Sequence, residues 1–182
     1  MRIPLSKWQM LWLGVMLVSA GCGCNPRIDV YAFGYENVNL LVDLVGVSPS
    51  EKTQMDWDSV TNQEYYETGS GAFAAAARYR KRIQFSSSEN VSTVTKDNNK
   101  AMLFTVGSKD TIWKTWGSLG AVDLYVFAQP GFNSLTALRV PLRCKCWNKG
   151  VVEIGIRKGG IVAGGLNDKC LKELRPSRTP RR

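Results

Sequence analysis

The sequence predicts a mainly β fold: a two-sheet β-sandwich with two or three short helices. Three observations lead there. Seven or so short apolar or alternating segments are separated by turn signals. Leu138–Cys146 alternates without a break, with Leu138, Val140, Leu142, Cys144 and Cys146 on one face and Arg139, Pro141, Arg143 and Lys145 on the other. A period of two is the mark of a half-buried strand. Beyond its N-terminal apolar run, the chain has the length of one domain with a sizeable core.

Taken in order, Ile28–Phe33 is short and β-prone. Val38–Val47 is nearly all apolar apart from Asn39 and Asp43, as in a strand buried on both faces. Ser48-Pro49-Ser50-Glu51 reads as a capping box with proline at the first helical position, which predicts a short helix near 49–55. Residues 56–71 end in Gly69-Ser70-Gly71 and read as a long loop with a turn or two of helix. Ala72–Ala77 favours helix by propensity. Tyr79–Phe85 alternates, with Tyr79, Ile83 and Phe85 opposite Arg80, Arg82 and Gln84; Lys81 interrupts the apolar side.

Ser86–Lys100 is polar and reads as a loop or hairpin end. Ala101–Val106 predicts a strand, and Asp110 predicts the cap of a short helix through Trp116. Val122–Ala128 is a strongly apolar strand stopped by Gln129-Pro130-Gly131. Pro141 has no N–H to give a ladder, so its strand is expected at an edge or a bulge. Asn148-Lys149-Gly150 makes a turn, and Val152, Ile154 and Ile156 alternate in the expected return strand. Asn167 is placed to cap a last helix carrying Cys170. The folded domain is therefore expected over 27–174, with a disordered, arginine-rich tail over 175–182.

The N-terminus carries its own signal. Arg2 and Lys7 precede an apolar run over Met10–Val18, and no charge follows until Arg27. That is the order of a secretory signal. The run is about half of the roughly 20 residues that a spanning helix needs. Leu17-Val18-Ser19-Ala20-Gly21-Cys22 resembles the lipobox of bacterial lipoproteins. The resemblance implies that residues 1–21 are removed and that Cys22 carries a diacylglyceryl group plus an amide-linked chain. Gly23 rather than Asp follows Cys22, which under the same resemblance implies the outer membrane, facing the periplasm. Ser19 and Gly21 also suit an ordinary signal peptidase, so soluble secretion and an uncleaved anchor stay open. The tether over 22–26 spans at most ~17 Å, which keeps the domain close to its membrane.

Cysteine arithmetic agrees with lipidation. The five cysteines are an odd number for an exported chain. With Cys22 acylated, Cys24, Cys144, Cys146 and Cys170 remain to form two bridges, in three connectivities. Within a strand the Cys144 and Cys146 sulfurs would point the same way, so each is expected to pair with Cys24 or Cys170 instead. A four-cysteine metal site lacks the paired C-x-x-C knuckles. No metal or cofactor is expected.

The chain has no histidine, which removes the commonest general base and the commonest metal ligand. Its formal charge is +9, and loss of residues 1–21 lowers it by two. A basic exported protein suits anionic lipid, wall polymer or an acidic protein partner. The signal argues against nucleic acid. Arg139, Arg143, Lys145 and Arg157 are expected to project from one hairpin as a basic interaction face, with Arg80 and Arg82 nearby. The same charges equally serve to discourage edge-to-edge aggregation.

Other constellations have plainer readings. Trp113 and Trp116 share a helical face, as core packing or as a sugar platform. Asp56, Asp58, Glu64 and Glu67 form one acidic cluster, as a solvated loop or as the carboxylates of a hydrolase or calcium site. Thr93-Val-Thr-Lys96 fits the S/T-x-x-K spacing, but the S-D-N and K-T-G elements are absent. Gly159-Gly160 and Gly164-Gly165 lack the lysine of a phosphate loop. No catalytic residue is assigned.

A lipid anchor, a very short tether and a small disulfide-capable sandwich together resemble, as a plan, the outer-membrane lipoprotein of type VI secretion systems. That resemblance implies a transthyretin-like or immunoglobulin-like sandwich. It also implies binding to the periplasmic domain of an inner-membrane protein through loops. It carries over no binding residues, and the extra cysteines and the arginine tail depart from it. The expectation is a membrane-anchored, non-enzymatic lipoprotein that binds another envelope protein. One alternative is a carbohydrate- or wall-binding lipoprotein with Trp57, Trp113, Trp116 or Trp147 exposed in a groove. The other is a hydrolase using the acidic cluster. The sequence leaves the oligomeric state open.

Overall fold

The computed structural model describes residues 25–35, 38–86, 91–129, 131–132 and 135–170, leaving out the side chain of Cys144. The proposed signal, Cys22, Cys24 and the 175–182 tail lie outside the described residues. The elements are β1 (Arg27–Phe33), β2 (Leu41–Val47), α1 (Pro49–Gln54), α2 (Asn62–Tyr66), α3 (Gly71–Ala76), β3 (Arg80–Gln84), β4 (Val91–Lys96) and β5 (Asn99–Val106), then α4 (Ile112–Leu119), β6 (Asp123–Gln129), β7 (Leu138–Pro141), β8 (Val151–Arg157) and β9 (Gly160–Gly164).

Two sheets form the expected sandwich. One has the order β4-β5-β1-β8-β9 and the other β3-β2-β6-β7. β1 runs antiparallel to β5 and parallel to β8. Period-2 alternation sends Ile28, Val30 and Ala32 of β1 and Val152, Ile154 and Ile156 of β8 inward, all fully buried. Val42, Leu44, Leu124 and Val126 supply the opposite wall.

The helices explain why β2 and β6 read as continuous apolar runs. α1 to α3 and the loops between them cover the outer face of the four-stranded sheet, so both faces of its central strands are buried. Tyr65 stacks on Phe127 at 3.9 Å, and Trp57 packs against Tyr125 and Phe127. Asp43 of β2 is fully buried among them. Arg82 donates to its two oxygens at 2.9 and 2.7 Å, and the Tyr65 hydroxyl donates at 3.2 Å.

Local capping follows the sequence closely. At α1 the Glu51 N–H donates to Ser48 Oγ, and the Ser48 N–H donates to Glu51 Oε2 at 2.7 Å. Thr61 and Glu64 repeat the device at α2. Asp110 accepts from the Ile112 N–H at 3.0 Å at the start of α4 and binds Lys81 at 2.8 Å. The Asn167 side chain accepts from the Cys170 N–H at 3.1 Å, as expected of a cap.

Burial works against the Asp110 charge, but the Ile112 N–H and the Lys81 ammonium outweigh it and hold the carboxyl below its ordinary range. A carboxyl depressed in the folded state adds stability above its unfolded pKa of about 3.9. That share is lost as pH falls through the lower folded value. Asp110→Asn is therefore expected to lower stability at neutral pH and to flatten the acid limb of the stability curve below about pH 4. Urea titrations across pH measure both effects, and an unchanged acid limb would contradict the assignment.

Four expectations need correction. The polar stretch 86–100 contains β4, joined to β5 through Asp97 and Asn98, both at positive φ. Its Val and Thr residues are β-branched, and an edge strand needs no apolar majority. The strand expected over Leu138–Cys146 ends at Pro141, and Cys144–Cys146 form a tight helical turn instead. Proline cannot continue the ladder, and the Cys146 N–H closes on the Arg143 carbonyl at 2.9 Å. β8 is not the return strand of β7: the chain crosses between sheets, and β8 pairs with β1 and β9. The glycine-flanked β9 is not expected from the sequence pattern.

Candidate functional site

The two outer sheet faces differ. Helices cover one, whereas the outer face of the five-stranded sheet keeps Tyr31, Phe33 and Leu103 half-buried and Val162 56% exposed. On β1 the period of two sends Arg27, Asp29, Tyr31 and Phe33 to this side. The Tyr31 and Phe33 rings lie 6.3 Å apart at 25°. Lys96 Nζ sits 5.3 Å from the Tyr31 ring centre, and the Arg157 guanidinium carbon 4.4 Å from that of Phe33. Both are cation–π distances. Gly155 stands opposite Tyr31 on one side and Val162 on the other. A Cβ there would lie 3.2 Å from Val162 Cγ2 and 3.7 Å from Phe33 Cε2. The missing side chain helps to form a shallow depression of about 150 Å³, lined by Tyr31, Phe33, Arg157 and Val162 among others.

Each cation on this face has a carboxylate. Arg27 pairs with Asp29 at 2.7 Å, Lys96 with Glu153 at 2.9 Å, and Arg157 with Asp97 at 3.9 Å. The Thr105 hydroxyl donates to Asp29 at 2.8 Å. Burial raises the Tyr31 phenol above its ordinary value, Asp29 adds to the rise, and Lys96 opposes it. The hydrogen bond to Glu153 raises the Lys96 ammonium. At neutral pH the phenol therefore stays protonated and the ammonium charged. The face is an aromatic centre with a balanced charged rim, not a cationic field.

The residues expected to form a basic hairpin face are split between sheets. Arg139 lies on β7, paired with Asp123 at 3.1 Å and Asp58 at 3.6 Å. Arg143 and Lys145 follow in the exposed turn, where the Lys145 carbonyl accepts from Asn167. Arg157 belongs to β8 in the other sheet. The sequence placed them together by assuming a β7–β8 hairpin that the crossover replaces.

Cys146 and Cys170 are joined by a disulfide with Cα atoms 5.5 Å apart. The bond selects one of the three connectivities for Cys146 and consumes two thiols of the four-cysteine metal alternative. Cys24 and the Cys144 side chain lie outside the described residues.

Trp57, Trp113, Trp116 and Trp147 are all buried. Trp113 and Trp116 meet edge to face at 5.0 Å, as core packing requires, so the tryptophans offer no stacking surface to a sugar. In the acidic cluster, Glu64 accepts from the Thr61 N–H and hydroxyl, which lower its pKa. Asp58 accepts from the Tyr125 hydroxyl at 2.7 Å. These two carboxylates hold local structure. Among the described residues, no three potential metal ligands cluster.

A larger groove of about 670 Å³ lies between α1, α3 and the end of α4, lined by Met55, Trp57, Ala74, Tyr79 and Leu119 among others. Its one carboxylate, Glu51, already caps α1.

The comparisons add no relative. No family model matches the chain, and searches of curated proteins and of solved structures found no match.

Sequence reading missed the Tyr31–Phe33 face although its signal was present. Arg27-Ile-Asp-Val-Tyr-Ala-Phe33 alternates, and its small apolar residues Ile28, Val30 and Ala32 take the core side. Two aromatic rings on the polar side of a strand were the clue.

Proposed function

We propose that this chain is a non-enzymatic docking protein of the cell envelope. In this reading lipid on Cys22 holds it to the outer membrane, and the outer face of its five-stranded sheet binds another envelope protein. The carrying observation is the stacked Tyr31–Phe33 pair within a rim of paired charges. An aromatic centre with a polar rim is the anatomy of a protein interface, where Tyr and Arg are enriched. Equal numbers of opposite charges suit a protein partner better than an anionic lipid surface. The specific assembly favoured by the lipoprotein plan is the type VI secretion membrane complex. Its partner would be the periplasmic domain of an inner-membrane protein.

A photo-crosslinking amino acid at position 33 in living cells tests the face. The expected result is an adduct with one envelope protein that is absent when the probe replaces exposed Lys114. Tyr31→Ala is expected to weaken binding to that protein by roughly 2 kcal/mol, about thirtyfold. An absence of adducts specific to position 33 would overturn the docking reading. Mass spectrometry of the mature N-terminus tests the anchor separately: a free Cys22 thiol or a different start would overturn it.

A further inference from the structure

An edge strand offers unpaired N–H and C=O groups to any passing strand, and proteins usually guard such edges with charge or proline. The edges here are β3 and β7 in one sheet and β4 and β9 in the other. β3 reads Arg80-Lys81-Arg82-Ile83-Gln84, β7 contains Arg139 and Pro141, and β4 is Ser- and Thr-rich and ends in Lys96. β9 reads Gly160-Ile161-Val162-Ala163-Gly164, with neither charge nor proline.

The edge is open. Ile161 and Ala163 pair in register with Ile156 and Ile154. Those β8 neighbours are fully buried, yet Ile161 and Ala163 are only half-buried. Val162 is 56% exposed, the most exposed large apolar side chain among the described residues. A groove of about 280 Å³ lies between the Gly160 end of β9 and the Leu135–Leu138 stretch.

We infer that β9 pairs antiparallel with β9 of a second copy of this chain. The argument for that occupant is the strand's near-palindrome. A two-fold axis at Val162 sets Val162 against Val162, Ile161 against Ala163, and Gly160 against Gly164. The valines meet on the axis, Ile161 meets the smaller Ala163, and no charge meets its like. The same pairing at β3 would press guanidinium against guanidinium. The contact is isologous and closes as a dimer. It merges two five-stranded sheets into one and places both Tyr31–Phe33 faces on the same side. The pairing rests on neither the anchor nor the proposed envelope partner.

Sedimentation equilibrium of the full chain in detergent, together with Val162→Lys, is the test. Lysine at an exposed position should leave the fold intact, which the urea midpoint checks, while two ammonium groups would meet on the axis. The wild type is expected to form dimers, and Val162→Lys to remain monomeric at the same concentration. Val162→Cys supplies an independent reading. It is expected to give a reducible homodimer in cells beyond any seen in the wild type, and Thr93→Cys on β4 is not. A monomeric wild type would overturn the inference. So would a Val162→Lys dimer as tight as the wild type, or a Val162→Cys chain that cross-links no more than Thr93→Cys.

Discussion

Arg82→Met is expected to destabilise the fold by about 2–3 kcal/mol in urea denaturation, below the range for a fully buried ion pair because the Arg82 side chain is itself 38% exposed. Asp43 is 0% exposed and lies in the middle of β2, between β3 and β6. Two of its bonds come from Arg82, and the third is the longer one from the Tyr65 hydroxyl. Methionine keeps the aliphatic stem over the sheet but leaves the carboxylate as an uncompensated charge under α2 and α3. The cost lies mainly in that orphaned charge, not in a lost attraction. Replacing both partners, as Arg82→Met with Asp43→Asn, is therefore expected to restore at least half of the loss, because asparagine still accepts from Tyr65 and carries no charge. A single-variant loss under about 1 kcal/mol, or a double variant no better than the single, would show that Asp43 is not held as described.

The same pair shows how far the sequence could be read. Asp43 stood out as a polar interruption in an apolar run, and Arg82 as an outward residue on an alternating strand. Propensity and period set each on its own strand. Nothing local says that β2 and β3 are neighbours with Asp43 opposite Arg82, because that register is set by long-range packing. Capping was legible because it depends on residues three apart: Ser48 with Glu51 is written in one short segment. The β7–β8 crossover was illegible for the opposite reason. Turn residues at Asn148-Lys149-Gly150 fit a hairpin equally well, and only the parallel fit of β8 beside β1 decides between them. The basic face fell with that hairpin. The aromatic face on β1 was legible in principle, since a period of two assigns Tyr31 and Phe33 to one side whatever the topology. Its neighbours Lys96, Gly155 and Arg157 were not, because they arrive from strands distant in sequence.

Gly46→Ala is the second large effect, expected to cost about 3 kcal/mol, the upper end for overpacking a core. Gly46 lies on the inward side of β2, beneath α4. An added Cβ would sit 2.4 Å from Trp116 Cδ1 and 2.7 Å from its Cγ and Nε1. The ring has no easy retreat. It is 1% exposed, its Nε1 donates to the Tyr79 carbonyl at 2.7 Å, and Trp113 abuts it edge to face. Either β2 shifts, straining its pairing with β3 and β6, or the indole moves and leaves the Tyr79 carbonyl without its donor. Both routes involve the same contact, so the effects should not add. With Trp116→Leu in place, Gly46→Ala is expected to cost about 1 kcal/mol or less, because the smaller side chain concedes the space. Equal costs of Gly46→Ala in the two backgrounds, measured by urea denaturation, would mean that α4 is seated elsewhere and that this glycine answers to the backbone, not to the ring above it.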